Sequence, residues 1–84
     1  LDSFRPEMME VVWQWVRGAR FAKICTMTDI FEGSIIRCMR RLEELMRQLS
    51  VASKAIGNDQ LETKFVSGIG LLKRDIVFAN SLYL

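Results

Sequence analysis

The sequence has no histidine, and its 84 residues include only one proline, one tyrosine and two cysteines. Without an imidazole, neither a Ser–His nor a Cys–His arrangement can activate a nucleophile. The Gly-x-x-x-x-Gly-Lys pattern of a phosphate-binding loop does not occur either. The two cysteines, Cys25 and Cys38, lack the spacing of a zinc site or of a disulfide framework. We therefore expect no catalytic site, metal or cofactor within these residues, and two reduced thiols buried in the core of an intracellular protein.

Long apolar runs are also missing, and no stretch approaches the ~20 residues that span a bilayer. The first residues do not have the pattern of a signal peptide. Leu1 is not an initiator methionine, so we expect a fragment or a processed product. Half of the residues are hydrophobic and 26% are charged, which is typical of one globular domain. The net charge is only +2, so attraction to a nucleic acid depends on where the charges lie.

Helix-breaking residues and apolar spacing divide the chain into four helices and give no strand pattern. Pro6 suits the first turn of a helix that stops at Gly18. The sequence Gly57-Asn58-Asp59 is typical of one helix ending and the next beginning. The fold predicted is an all-α bundle of two short and two long helices. Their expected ranges are Pro6 to Gly18, Phe21 to Cys25, Glu32 to Ile56 and Gln60 to Ser81, with a turn over residues 26–33.

Both long helices have an apolar stripe close to the 3.6-residue period of a core-facing surface. The third helix has Ile35, Met39, Leu42, Met46, Leu49, Ala52 and Ile56 in its stripe. The fourth has Leu61, Phe65, Ile69, Leu72, Ile76 and Ala79. Gly68 and Gly70 lie inside the fourth helix, where each costs about 1 kcal/mol relative to alanine. Close helix packing is the expected reason for both glycines.

Four arginines lie on the third predicted helix, and two of them share one face. At about 100° per residue, a strip roughly 60° wide contains four polar side chains away from the apolar stripe. They are Arg37, Arg41, Glu44 and Gln48. The guanidinium group suits phosphate oxygens, and a carboxylate can accept a hydrogen bond from a 2′-hydroxyl. The strip is therefore a candidate RNA-binding surface.

An ordinary solvated face is the alternative interpretation of this strip. Arg40 with Glu44, and Glu43 with Arg47, have the i,i+4 spacing that stabilises an exposed helix. Arg37 and Arg41 are like charges at the same spacing, which costs a few tenths of a kcal/mol unless an anion binds there. The sequence by itself leaves both interpretations open.

The stretch from Ile24 to Arg37 also has the rhythm of a helix-turn-helix unit. Asp29 stands where such turns often have glycine, and the second helix is longer than a major groove accepts. A freestanding interaction module or a helix-turn-helix DNA-binding module is the alternative function. The predicted helices do not provide enough packing surface to bury Trp13, Trp15 and the final residues SLYL. We therefore expect an exposed apolar patch that docks on a larger protein structure.

Five segments together resemble the C-terminal helical domain, called DSHCT, of exosome-associated superkiller-type DExH-box RNA helicases. The segments are FRPEMMEVV, ICTMTDIFEGSIIR, RRLEEL, AIGN and KRDIVFANSLYL. The resemblance covers essentially the whole chain. The sequences MTD and FEGSII are more similar to the nuclear branch of these helicases than to the cytoplasmic one. Gly68 and Gly70 depart from the family pattern and put the straightness of the last helix in doubt.

The resemblance implies that residues 1–84 are the C-terminal helical bundle of a larger ATP-dependent 3′–5′ RNA helicase. In such helicases two RecA-like domains bind ATP and Mg²⁺, and these domains, a winged-helix domain and the bundle surround single-stranded RNA. One long bundle helix, the ratchet helix, lines the RNA channel. By register Arg41 and Glu44 face the RNA, and Arg37 and Gln48 extend the strip by helix geometry alone. The fragment itself should have no ATPase activity.

The resemblance also implies partners and a location. The partners are single-stranded RNA, the other domains of the same chain, the RNA exosome and adaptor proteins, without a membrane. The location implied is the nucleus, with the cytoplasm as the alternative.

Overall fold

The computed structural model describes residues 6–27 and 35–83, and within these residues the chain forms four helices and no strand. They are α1 (Pro6–Val16), α2 (Phe21–Met27), α3 (Ile35–Ala55) and α4 (Asp59–Tyr83). The predicted all-α bundle of two short and two long helices is confirmed. The start predicted for the third helix at Glu32, most of the predicted turn and residues 1–5 and 84 lie outside the described residues.

Helix α1 ends at Val16, and Gly18 terminates it, as the sequence predicts. The Gly18 N–H donates to the carbonyl of Trp15 at 2.8 Å, and the Ala19 N–H donates to that of Gln14 at 3.1 Å. Gly18 has a φ of 107°, a left-handed conformation that side chains disfavour. This is the Schellman arrangement, which satisfies the last carbonyls of the helix and turns the chain towards α2.

Helices α3 and α4 are joined by three residues that end one helix and begin the next. Gly57 has a φ of 74°, and its N–H donates to the Lys54 carbonyl at 3.0 Å. The Leu61 N–H donates to Asn58 Oδ1 at 3.1 Å, so Asn58 caps the N-terminus of α4. Both predicted roles are confirmed. Such a short connection folds α3 and α4 into an antiparallel hairpin, and this pair forms the main helix–helix contact.

The core lies between the α3–α4 hairpin and the two shorter helices packed against it. Phe21 and Ile24 are buried, as predicted for the short second helix. That helix continues through Met27, two residues beyond the predicted end, and the Thr26 hydroxyl donates to the Lys23 carbonyl at 2.7 Å. Residues 28–33 of the predicted turn lie outside the described part of the chain.

The α3 stripe is confirmed from Ile35 to Leu49 but is wrong in the last turns of the helix. Ala52 is exposed, and Ile56 lies beyond the helix end with 74% of its surface exposed. The buried residue in this turn is Ser53, whose hydroxyl donates to the Leu49 carbonyl at 2.7 Å. A serine satisfied within its own helix can be buried at little cost, which hides it from a search for apolar residues.

The α4 stripe is confirmed, and the two glycines in α4 have different reasons. A Cβ on Gly68 would lie 2.7 Å from the Trp15 ring and 2.8 Å from Met46 Sδ, so close packing requires glycine there. A Cβ on Gly70 would meet nothing within 4 Å, so the packing explanation is wrong for Gly70. Helix α4 continues through both positions.

The prediction of two separate reduced thiols is wrong in this structure. Cys25 on α2 and Cys38 on α3 are buried, as predicted, but they are joined in a disulfide with their Cα atoms 6.0 Å apart. Thirteen positions separate them in the sequence. Sequence spacing could not show this pairing, because it depends on how α2 packs against α3.

Candidate nucleic-acid interface

The strip predicted on the third helix lies on α3, away from the core. Arg37, Arg41 and Glu44 are exposed, and Gln48 is half-buried at the edge. With a rise of 1.5 Å per residue, the strip is about 16 Å long. The structure therefore presents these four residues, named here the α3 strip, along one side of a single helix.

The buried face of α3 is fixed by the core. Four of its side chains have no exposed surface, and they are Met39, Leu42, Leu45 and Met46. Because these side chains alternate with the strip along the same helix, the backbone that carries the strip is held in place by close packing. A helix supported in this way keeps its polar side chains at fixed spacing better than a loop does.

The arginines of α3 differ in their acidic partners. The predicted Glu43–Arg47 pair is confirmed, with Arg47 Nη2 at 2.8 Å from Glu43 Oε1. Within residues 6–27 and 35–83, the predicted Arg40–Glu44 ion pair is not formed. The carboxylate of Glu44 is therefore not held by the adjacent turn of its own helix.

Arg37 and Arg41 each have an interaction within the protein. Their like charges are therefore not an isolated repulsive pair, and their repulsion does not by itself require a bound anion. What remains is their exposure, their position one turn apart and the chemistry of the guanidinium group. Its planar donors can bind phosphate oxygens without reading the bases.

A cleft of about 440 Å³ lies between the α1–α2 connection and α4, and sequence reasoning missed it. Arg20, Arg74 and Asp75 line it together with Trp15 and Phe21. The two aromatic rings stack on each other with centroids 5.0 Å apart. No sequence signal indicated this cleft, because its residues come from two segments at least 50 positions apart.

The predicted exposed apolar surface is present in part. Trp13 is more than half exposed, but Trp15 is half-buried against Phe21 and does not belong to such a patch. Val66, Val77 and Phe78 on α4 are also exposed. The side chains of the final residues Leu82, Tyr83 and Leu84 lie outside the described part.

Neither a metal site nor a membrane span is present in the described part of the chain. No group of three or more acidic, cysteine or histidine side chains there could hold a metal ion. No described helix combines the length and the apolar character that crossing a bilayer requires.

The sequence profile of the DSHCT (NUC185) domain matches residues 1–79. The chain therefore belongs to the DSHCT domain family, and the family predicted from the five segments is confirmed. Of the described elements, α1 to α3 and most of α4 lie within the match, including the whole α3 strip.

Curated relatives carry helicase names. The chain is 68% identical over all of its 84 residues to "Exosome RNA helicase MTR4" of Homo sapiens and of Mus musculus. It is 56% identical to "ATP-dependent RNA helicase mtr4" of Schizosaccharomyces pombe, again over its whole length. The chain spans 8% of the length of each of these relatives.

Proposed function

We propose that these 84 residues are the RNA-contacting C-terminal domain of an ATP-dependent 3′–5′ RNA helicase that feeds RNA to the exosome. The proposal rests on the DSHCT match and on relatives named exosome RNA helicases. Helix α3 lines the channel for single-stranded RNA. The α3 strip of Arg37, Arg41, Glu44 and Gln48 faces the strand, and its exposure on a rigid helix is the observation that supports this role.

The physical reason is that a translocating motor must hold a strand without reading its sequence. Guanidinium contacts to phosphates are independent of sequence and weaken with salt. Glu44 would accept a hydrogen bond from a 2′-hydroxyl, the group that distinguishes RNA from DNA. With the backbone of α3 fixed by the core, each step meets the same set of donors and acceptors.

Other functions belong to the rest of the longer protein in this proposal. ATP and Mg²⁺ bind in RecA-like domains outside these residues, and ATP hydrolysis takes place there. The bundle contacts the RecA-like and winged-helix domains of the same chain, and the protein works with the RNA exosome and adaptor proteins in the nucleus. The names of the relatives support RNA and exosome association.

Replacing Arg41 in the full-length protein tests the role of the strip. We expect Arg41→Ala to lower the rate of duplex unwinding by about tenfold to a hundredfold, since one charge-assisted hydrogen bond contributes about 1.5–3 kcal/mol. Most of the ATPase rate should remain, because the ATP site lies elsewhere. Both rates are measured on the same preparation with a duplex that has a single-stranded overhang.

Arg47→Ala is the matched control, because it removes the same side chain from the same helix. Arg47 is paired with Glu43 and lies about 90° around α3 from the centre of the strip. It should leave unwinding close to the wild-type rate. Equal loss of unwinding and ATPase activity in Arg41→Ala, or the absence of RNA crosslinks along residues 37–48, would instead indicate that the bundle only supports the ring.

A further inference from the structure

Two buried sulfur atoms meet where α2 packs against the first turn of α3. Cys25 is 7% exposed and Cys38 is 2% exposed, and their Cα atoms are 6.0 Å apart. Disulfides form at Cα separations of roughly 4.4–6.8 Å, so the packing of the two helices already provides the required geometry. We propose that Cys25 and Cys38 are an oxidative modification site, a reversible cross-link that responds to peroxide.

The position of the pair allows either redox form. Both cysteines belong to the apolar core, where a free thiol packs as a small hydrophobe. The core therefore accepts the two thiols as well as the cross-link, and the reducing or oxidising state of the surroundings decides between them. A structural disulfide of a secreted domain would instead be formed once and kept.

The chemistry requires one oxidant, hydrogen peroxide. Both sulfurs are buried, so peroxide reaches them when the core opens locally, and we assign the first attack on a peroxide oxygen to the sulfur of Cys25, the less buried residue. The O–O bond breaks, one water leaves and Cys25 becomes a sulfenic acid. The Cys38 sulfur then attacks the Cys25 sulfur, the S–O bond breaks and a second water leaves. Two thiol hydrogens and two electrons pass to one peroxide, which becomes two waters.

The cross-link joins Cys25 on α2 to Cys38 on α3. Arg37, the first residue of the α3 strip, directly precedes Cys38. Oxidation ties α2 to the first turn of α3 and limits their separation when the core opens locally. Amide hydrogens of α2 should therefore exchange more slowly in the oxidised protein than in the reduced protein.

Tryptic mass spectrometry of the full-length protein tests the modification directly. Trypsin cuts after Lys23, Arg37 and Arg40, so the two cysteines fall in separate peptides, residues 24–37 and 38–40. The folded protein is treated with stoichiometric hydrogen peroxide, alkylated and digested without reductant. We expect these two peptides joined and two hydrogens lighter than their sum, and dithiothreitol should return them separately.

Cys38→Ser and Cys25→Ser are matched controls, and neither should yield the joined peptides. The wild-type digest decides the matter even where a variant fails to fold. Recovery of both peptides alkylated after peroxide would overturn the proposal, and so would a disulfide from either cysteine to a third one. None of these results depends on RNA binding, so the modification and the proposed function succeed or fail separately.

Discussion

Trp15 links three helices through a small number of close contacts. Its ring stacks on Phe21 of α2, and Lys64 Nζ lies 5.4 Å from the ring centroid. The far edge of the indole approaches α4 at Gly68, where a Cβ would be only 2.7 Å away. A cation over an aromatic face and a stacked ring pair each add about 0.5–1.5 kcal/mol. The absence of a side chain at one position is what allows this rigid ring to fit.

We expect Gly68→Ala to lower the free energy of unfolding by about 1–3 kcal/mol from overpacking, less about 1 kcal/mol gained in helix propensity. The Met46 side chain can move aside, but the Trp15 ring is held by Phe21 and cannot. Urea denaturation of the 84-residue chain measures the difference.

Gly70→Ala is the control on the same helix, because a Cβ there meets open space. It should raise the free energy of unfolding by roughly 0.5–1 kcal/mol. Equal effects of the two substitutions would show that the Trp15 contact does not limit the packing of α4.

At the scale of the helix, α3 has two sides with different tasks. One side packs Met39, Leu42 and Met46 into the core, and the other presents polar groups to solvent. Arg47 is neutralised by Glu43 on a flank, while the α3 strip contains two arginines and one acid. The flank and the α3 strip therefore differ in their balance of charge. Removing an arginine from the strip should affect RNA binding more than removing Arg47 from the flank.

The salt dependence of RNA affinity measures this distribution. For single strands, each neutralised phosphate contributes about 0.7 to the slope of log K against log salt. We expect Arg41→Ala in the full-length protein to reduce the slope by about that amount and Arg47→Ala to leave it unchanged. The affinities come from fluorescence anisotropy with a single-stranded RNA at several salt concentrations. Identical slopes for both variants would place the phosphates away from the strip.

Much of each helix could be predicted from the sequence, because apolar spacing and caps are local signals. Gly18, Gly57 and Asn58 end or begin helices as expected. The errors occur where the deciding partner lies on another helix. Ser53 takes the core position that Ala52 was expected to fill. No signal within α4 distinguishes Gly68 from Gly70, because the contacts of Gly68 are made by Trp15 and Met46. The contact of Cys25 with Cys38 and the cleft between the α1–α2 connection and α4 also depend on how separate helices pack, so local sequence signals do not indicate them.

At the scale of the whole molecule, the bundle has more apolar side chains than its core can bury. Phe78 on α4 is 64% exposed, and Val77 beside it is also exposed. The chain spans 8% of the length of its named relatives, and the proposed function would place further domains against this surface. The isolated 84 residues, with this surface exposed, should associate with themselves.

Two phenylalanines of α4 differ in burial, since Phe78 is exposed and Phe65 is buried in the core. Phe78→Ala should change the free energy of unfolding by no more than about 0.5 kcal/mol and should reduce self-association. Replacing Phe65, which is 6% exposed, with alanine should lower the free energy of unfolding by about 3–5 kcal/mol. Sedimentation velocity and urea denaturation of the isolated chain give the two readouts. If Phe78→Ala still self-associates, the surface responsible lies elsewhere, and the exposed Trp13 ring is the next position to test.

The three residues between α3 and α4 have a mechanical consequence. A flexible linker would absorb a pull along α3 by extending, but Gly57 and Asn58 are both fixed by backbone and capping hydrogen bonds. A force applied along α3 should therefore be transmitted directly to α4, and the two helices should move as one unit. Lengthening this connection would not by itself separate the two helices, because the α3–α4 contact of the hairpin would remain.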